Sequence, residues 1–269
     1  MSAALPGCFY GVADVEPGGG GGSAASESGA AAGTGASCDA ACGASACAGA
    51  VDAFAADVLA YIPCAASFDD VTGRSTVTIE DNPTISSSPA GAPEGHSCSL
   101  GSTGGRFSGR GFTVAMPASL GTGDFTIEFA VYQTAWHDPS DQASQVLISN
   151  STFPQPPSVQ FPSFWSGDAK DGMQFDGGGI IYLDSGASLA KWERFAASRV
   201  SGTTRVFRDG VLLTSIPDAT DYTDDGFDVG YQRNGDANAV IGSIAEIRVT
   251  AAGRYTSSYT VCAGGFATP

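Results

Sequence analysis

The stretch from Trp192 to Ser215, WERFAASRVSGTTRVFRDGVLLTS, constrains the fold of this chain more than any other. Read with a period of two, Arg205, Phe207 and Asp209 fall on one side of a strand, and Thr204, Val206 and Arg208 on the other. Asp209-Gly210 then separates that run from Val211-Leu212-Leu213. An Asp-Gly pair between apolar runs predicts a two-residue hairpin, because both central residues of a type I′ turn need positive φ. Trp192 and Phe195 head the preceding run and supply core anchors. The reading is a three-strand antiparallel meander.

The same alternation recurs along the chain. Phe125, Ile127, Phe129 and Val131 make an inward face, with Thr126, Glu128 and Tyr132 outward. Phe112, Val114 and Met116 alternate until Pro117 stops them. Shorter strands are predicted at Val77–Ile79, His96–Leu100, Val146–Ile148, Met173–Phe175, Ile180–Leu183, Phe227–Tyr231 and Val240–Val249. Residues 151–172, rich in Pro and aromatics, read as a long loop. Many short strands punctuated by turns predict an all-β, two-sheet antiparallel jelly-roll sandwich. Two front elements precede it. Residues 1–48 form a Gly/Ala/Ser-rich, Cys-containing arm that includes the five-glycine run Gly18–Gly22, a composition that buries no core. Residues 49–63 are predicted as a short amphipathic helix. There Val51, Phe54, Ala55, Val58, Leu59 and Ile62 recur at spacings of three and four until Pro63. The sandwich takes residues 64–269.

Three segments together resemble a known family. Trp192 opens a strand that Arg199 closes, and the next strand ends in Asp209-Gly210-Val211. In the closing stretch, Gly242, Ile244, Glu246, Ile247, Arg248, Val249, Thr250, Arg254, Tyr255 and Thr256 match in order, and Gly121–Tyr132 is similar to the family's entry into its first long core strand. The family is the laminin G-like, concanavalin A-like lectin/glucanase fold, in the branch found in bacteriophage virion proteins. Ala130, Ala245 and Glu193-Arg194 depart from its usual residues. The likeness covers Ile62 to Tyr259, and its motifs specify a fold better than a function.

A net charge of −16 disfavours nucleic acid and anionic membrane as partners, since phosphate recognition needs clustered Lys and Arg. No apolar run is long enough for a membrane-spanning helix, so membrane insertion is not expected. The opening MSAALPGCFYG has neither a basic nor an apolar leader region. The expectation is synthesis in a host cytoplasm and release by lysis, with the working place at a virion surface.

Glucanases of the lectin-like fold carry alternating carboxylates on one strand. Here Glu128 and Glu246 each stand alone, which argues against a hydrolase; Glu246 reads as a structural residue paired with Arg248 on the same face. His96 and His137 lack a nucleophile elbow, so no catalytic residue is assigned. Glycan-binding candidates are Trp136, His137, Asp138 and Trp165, aromatics with hydrogen-bonding neighbours; packing against the sandwich is the alternative. The family's rim calcium sites make Asp69, Asp70, Asp224 and Asp225 metal candidates, with Asp218 and Asp221 nearby; a solvated acidic loop is the alternative. Seven cysteines cannot all pair within one chain. Cys38, Cys42, Cys47 and Cys64 are candidates for disulfides or a metal site. Cys8, Phe9 and Tyr10, with Phe54, Val58 and Leu59 of the helix, are assembly candidates. The function expected is a nonenzymatic phage virion structural protein, either a capsid decoration or a tail fibre or tip component. Its arm and helix would bind other virion proteins or further copies, and its lectin-like domain would meet host glycans. A secreted bacterial carbohydrate-binding module is the alternative, and a glycan hydrolase the third reading.

Overall fold

The structure is a computed structural model that describes residues 52–80, 82–100, 111–135, 188–230, 241–261 and 266, with the strands between 144 and 183 described through their backbone. Among the described residues, fifteen strands follow one 3-10 turn, Ala55–Asp57. They are β1 (Val58–Ile62), β2 (Thr76–Glu80), β3 (Thr84–Ser86), β4 (Ser97–Ser99), β5 (Gly111–Ala115), β6 (Phe125–Gln133), β7 (Ser144–Asn150), β8 (Val159–Trp165), β9 (Lys170–Phe175), β10 (Gly179–Leu183), β11 (Trp192–Val200), β12 (Thr203–Arg208), β13 (Val211–Pro217), β14 (Gly226–Val229) and β15 (Gly242–Thr250).

They form two antiparallel sheets. The first runs β13-β12-β11-β6-β15-β4-β3, with β1 also paired to β15; the second runs β10-β9-β8-β7-β14-β5-β2. Between them lies the core. Phe125, Ile127, Phe129 and Val131 of β6, with Phe195, Val206, Ile244 and Val249, face Phe112, Val114, Phe227 and Val229 of the second sheet. Burying each such side chain stabilises the fold by about 1.5–3 kcal/mol. The meander is β11-β12-β13, and its turn has Asp209 at φ 48° and Gly210 at φ 77°. A Cβ at position 210 would also collide with the Tyr259 carbonyl, so glycine is required there twice over.

The expected helix is not formed over its described residues: Val58–Ile62 is strand β1, paired along β15. A register shift between Val58 and Ala60 explains the misleading spacing. It puts Val58 and Tyr61 on the outer face with Phe266, while Ala60 and Ile62 enter the core. Three-residue spacing across a bulge looks like a helical repeat. The sandwich therefore begins before residue 64. The segment 151–172 is likewise not a continuous loop, since β8 and the start of β9 lie in it.

Strand β15 changes partner midway. Ser243 and Ile244 pair with β4, whereas Ile247 to Thr250 pair with β1. The change is made at Glu246, whose φ is 54° and which sits within a bulge against β6. Its two sequels, β4 and β1, are joined covalently by the buried Cys64–Cys98 disulfide.

A buried ion cluster covers the outer face of the first sheet. Arg248 Nη2 donates to Glu128 Oε1 at 2.6 Å and Arg248 Nη1 to Asp52 Oδ2 at 3.4 Å. Arg254 grips both Asp52 oxygens, at 3.1 and 2.9 Å. The Tyr255 hydroxyl approaches Glu128 at 3.4 Å, and the Arg254 backbone N–H reaches Thr126 and Ser198 on β6 and β11. All four charged side chains are essentially out of water. Burial by itself would lower the Arg248 pKa, but the carboxylates of Glu128 and Asp52, with Tyr255, reverse that and raise it. Thus one set of ion pairs pins the segments before β1 and after β15 to the same face.

Removing one partner leaves a buried charge uncompensated. Asp52→Ala should lose about 3–5 kcal/mol of stability in urea unfolding. Replacing Cys64 and Cys98 together by Ala frees a loop with a sequence separation of 34 and should cost about 3–4 kcal/mol in the same measurement.

Candidate functional site

The outer face of the seven-stranded sheet is built by register. Thr78 of β2 lies opposite Thr113 of β5, and Thr113 opposite Asp228 of β14. Asp228 lies opposite Ser149 of β7, Ser149 opposite Gln160 of β8, and Gln160 opposite Gln174 of β9. Six consecutive strands thus place hydroxyl, carboxyl or amide residues in one row. The neighbouring row, Ile79, Phe112, Val229, Ile148 and Phe161, is apolar. It contains the core residues Phe112 and Val229. Period-two alternation therefore holds across the sheet as well as along each strand.

Asp228 is the charged member. It is fully buried, and its Oδ1 accepts a hydrogen bond from the Thr113 hydroxyl at 3.0 Å. Thr113 is half-buried and Thr78 at the sheet edge is exposed. A carboxylate held this way orients the threonine hydroxyl. The acidic positions on nearby strands, Glu80 of β2 and Asp171 of β9, are two and three strands from β14. At about 4.8 Å per strand these lie roughly 10 Å and 14 Å away laterally. Paired glycosidase carboxylates need about 5–5.5 Å, or 6.5–9.5 Å with a water between them. In the row itself Asp228 is the one carboxyl residue.

The carboxyl group with the clearest perturbation lies elsewhere. Glu246 is pushed up to about 7, mainly by burial, with the Arg194 guanidinium and the Phe266 N–H pulling the other way. Its Oε2 is 3.0 Å from Arg194 Nη2, and its Oε1 accepts the Phe266 N–H at 2.8 Å. Perturbed carboxyls often mark active sites. This one is sealed beneath the C-terminal segment and holds that segment down, so it is structural. Its partners also differ from those expected: the bulge turns Glu246 toward Arg194 and Arg248 toward Glu128.

The residues singled out in the sequence fare unevenly. Trp136, His137 and Asp138 lie outside the described residues, as do Cys8, Phe9, Tyr10, Cys38, Cys42 and Cys47. Trp165 ends β8, opposite Lys170 and Ser144, rather than standing in a loop. Cys64 is bonded to Cys98, so it is not a fourth ligand for the three N-terminal cysteines. Val58 is buried within the domain, Leu59 packs on the core, and Phe54 lies under Arg254. Pairing of β1 with β15 takes up the apolar surface that an assembly helix would have presented.

The proposed calcium ligands do not converge. Asp70 is buried and accepts from the backbone N–H groups of Tyr61, Thr72, Arg74 and Ser75 and from the Thr72 hydroxyl. Its oxygens organise the turn after β1. Asp218 is held by the Thr204 and Tyr222 hydroxyls at 2.6 and 3.1 Å and faces Arg199 at 3.7 Å. Arg199 in turn donates to the Gly121, Gly123 and Thr220 carbonyls and lies over the Phe125 and Tyr222 rings. Asp69 and Asp225 are exposed and Asp224 half-buried. Among the described residues no three His, Cys, Asp or Glu side chains gather as metal ligands. Asp228 went unremarked in the sequence, although an acid between Phe227 and Val229 signals a polar position between two core positions.

No known family's sequence pattern matches the chain, and no curated protein is similar to it in sequence. Solved structures are similar in fold. Domain 4 of a GH43 extracellular arabinanase from Geobacillus stearothermophilus, solved in complex with arabinotriose, superposes with a TM-score of 0.52 at 15% identity, covering 72% of this chain and 92% of that one. Trypanosoma rangeli sialidase in complex with sialic acid gives 0.55 at 11% identity, covering 76% of this chain and 32% of the sialidase. The binding domain of botulinum neurotoxin serotype G gives 0.53 at 12% identity, covering 73% of this chain and 48% of that one. The chain thus spans about a third of the sialidase and about half of the toxin domain. The fold is an all-β, lectin-like sandwich.

The raised Glu246 carboxyl has a consequence for stability. Between its ordinary value of 4.5 and about 7 the folded protein binds the proton more tightly than the unfolded chain, so stability contributed by this group falls as pH rises through that window. Glu246→Gln keeps an acceptor for Phe266 and removes the titration. Urea unfolding across this window should show a shallower decline for the variant than for the parent. Parallel curves would contradict this assignment.

Proposed function

We propose that the chain is a nonenzymatic virion structural protein whose sandwich displays a carbohydrate-binding face, the outer side of the seven-stranded sheet. The polar row Thr78–Thr113–Asp228–Ser149–Gln160–Gln174 carries this reading. Hydroxyl and amide groups in a line suit the vicinal hydroxyls of a glycan, each sugar group finding a donor or acceptor. A row that holds one carboxyl residue supports binding without hydrolysis. Similarity in fold to an arabinanase domain solved with arabinotriose agrees with this. A net charge of −16 favours neutral glycans over acidic ones.

The virion part rests on the sequence resemblance in the meander and the closing strand, and on chain direction. The 51 residues before Asp52 join the sandwich at the outer face of the eight-stranded sheet, where Asp52 meets Arg248 and Arg254. An arm anchored to a particle on that side leaves the polar row facing outward.

A second reading, an exported carbohydrate-binding module, is favoured by the Cys64–Cys98 disulfide, since such bonds persist in oxidising surroundings. Mass spectrometry of purified particles against culture supernatant separates the two: enrichment in particles supports the virion protein, and supernatant alone supports the module.

The binding face is tested by presenting the multivalent protein to an array of neutral and acidic glycans, followed by titration calorimetry with the best ligand. Thr113→Val and Thr78→Val should each weaken binding about tenfold, the loss of roughly one hydrogen bond of about 1.4 kcal/mol. Absence of any glycan signal, or retention of full affinity in both variants, would refute the assignment.

A further inference from the structure

We infer that β10 is a seam through which two copies of this chain associate, edge to edge, by antiparallel pairing about a two-fold axis at Ile181. This does not depend on what the sandwich binds.

A sheet edge leaves alternate backbone N–H and C=O groups without strand partners, and folded proteins protect such edges with bulges, prolines, charges or short length. Four of the described edges are protected. On β1, Arg74 Nη1 donates to the Val58 carbonyl, the Ser75 hydroxyl to the Leu59 carbonyl and the Val71 N–H to the Tyr61 carbonyl. At β13 a register shift falls between Val206 and Phe207, and the strand closes on Pro217. There too, the Leu212 N–H donates to Ser258 Oγ and the Gly210 carbonyl accepts from Tyr259. At the far side of the same sheet, β3 has only three residues. In the second sheet, β2 ends on Glu80.

The fifth edge differs. Strand β10, Gly-Ile-Ile-Tyr-Leu, matches β9 at all five positions without a register shift and holds no charge and no proline. Among the described residues no strand pairs with its other side. It is regular, apolar and built from residue types that favour strands.

The occupant follows from the sequence of the strand itself. Centred on Ile181, antiparallel self-pairing sets Ile180 opposite Tyr182 of the other copy, twice by symmetry, and Gly179 opposite Leu183. The β-branched–aromatic pairs are favourable cross-strand neighbours, and a two-fold contact of this kind is self-complementary and closed. Charge points the same way. Two chains of net charge −16 repel, so a contact between copies is best made by an element that brings no like charges together, and β10 brings none. Pairing would join two seven-stranded sheets into one.

The test uses the full chain. Sedimentation across a concentration series should show a dimer, and Ile181→Lys should weaken association at least tenfold with an unchanged circular dichroism spectrum. A photo-crosslinking benzoylphenylalanine in place of Tyr182, which leaves Ile181 intact, supplies an independent readout. Irradiation should give a covalent dimer whose linked peptides both contain residues 179–183, while the same probe at Val211 on β13 gives none. A monomer at every concentration, a dimer linked elsewhere, or unaltered association in Ile181→Lys would each overturn the proposal.

Discussion

Arg248 lies on the outward side of a sheet and yet has no access to water, and the rest of the structure is arranged to satisfy it. A buried guanidinium is tolerable only when several acceptors surround it. Glu128 comes from the adjacent strand β6, while Asp52 comes from a segment almost two hundred positions away. Having recruited Asp52, the cluster also recruits Arg254, and with it the adjoining Tyr255, while the Phe266 ring lies against Arg248. The apolar neighbours Ala196, Phe207 and Tyr255 then fill in around the charges. Specificity here comes from electrostatics: an apolar patch accepts many coverings, whereas this set of donors and acceptors accepts one.

This gives the sandwich two unlike outer faces. The eight-stranded sheet is covered by the chain's own end segments and has its polar groups paired internally. The seven-stranded sheet carries hydroxyl, amide and carboxyl positions in rank across its strands. Fold similarity to domains from an arabinanase, a sialidase and a neurotoxin concerns the scaffold, and scaffolds of this kind host many activities. The functional reading therefore rests on the second face.

Much of the fold was legible in the sequence because its signals are local. The Asp209-Gly210 turn and the alternation in Phe125–Val131 and Trp192–Val200 each need only neighbouring residues to be read. The failures share one cause, which is register. Val58–Ile62 imitated a helix because a bulge spaces Val58 and Tyr61 by three, and nothing in the segment announces that β15 has a vacancy beside it. Glu246 and Arg248, two apart, looked like a same-face pair until the bulge gave them separate partners. The polar row was invisible for the same reason: Thr113, Asp228, Ser149 and Gln160 are scattered in sequence and come together only when strands from distant parts of the chain are laid side by side. Cys64 was grouped with the cysteines before it, yet the turn after β1 carries it to Cys98.

The covalent link between Cys64 and Cys98 also sets how the domain bears load. A pull on the front of the chain would first meet the ion pairs of Asp52 and then unzip β1 from β15 one residue at a time, since the force acts at the end of an antiparallel strand. Unzipping halts at Cys64, where tension passes through the sulfurs into β4, itself hydrogen-bonded to the start of β15. Peeling is thereby converted into a load shared with a second strand.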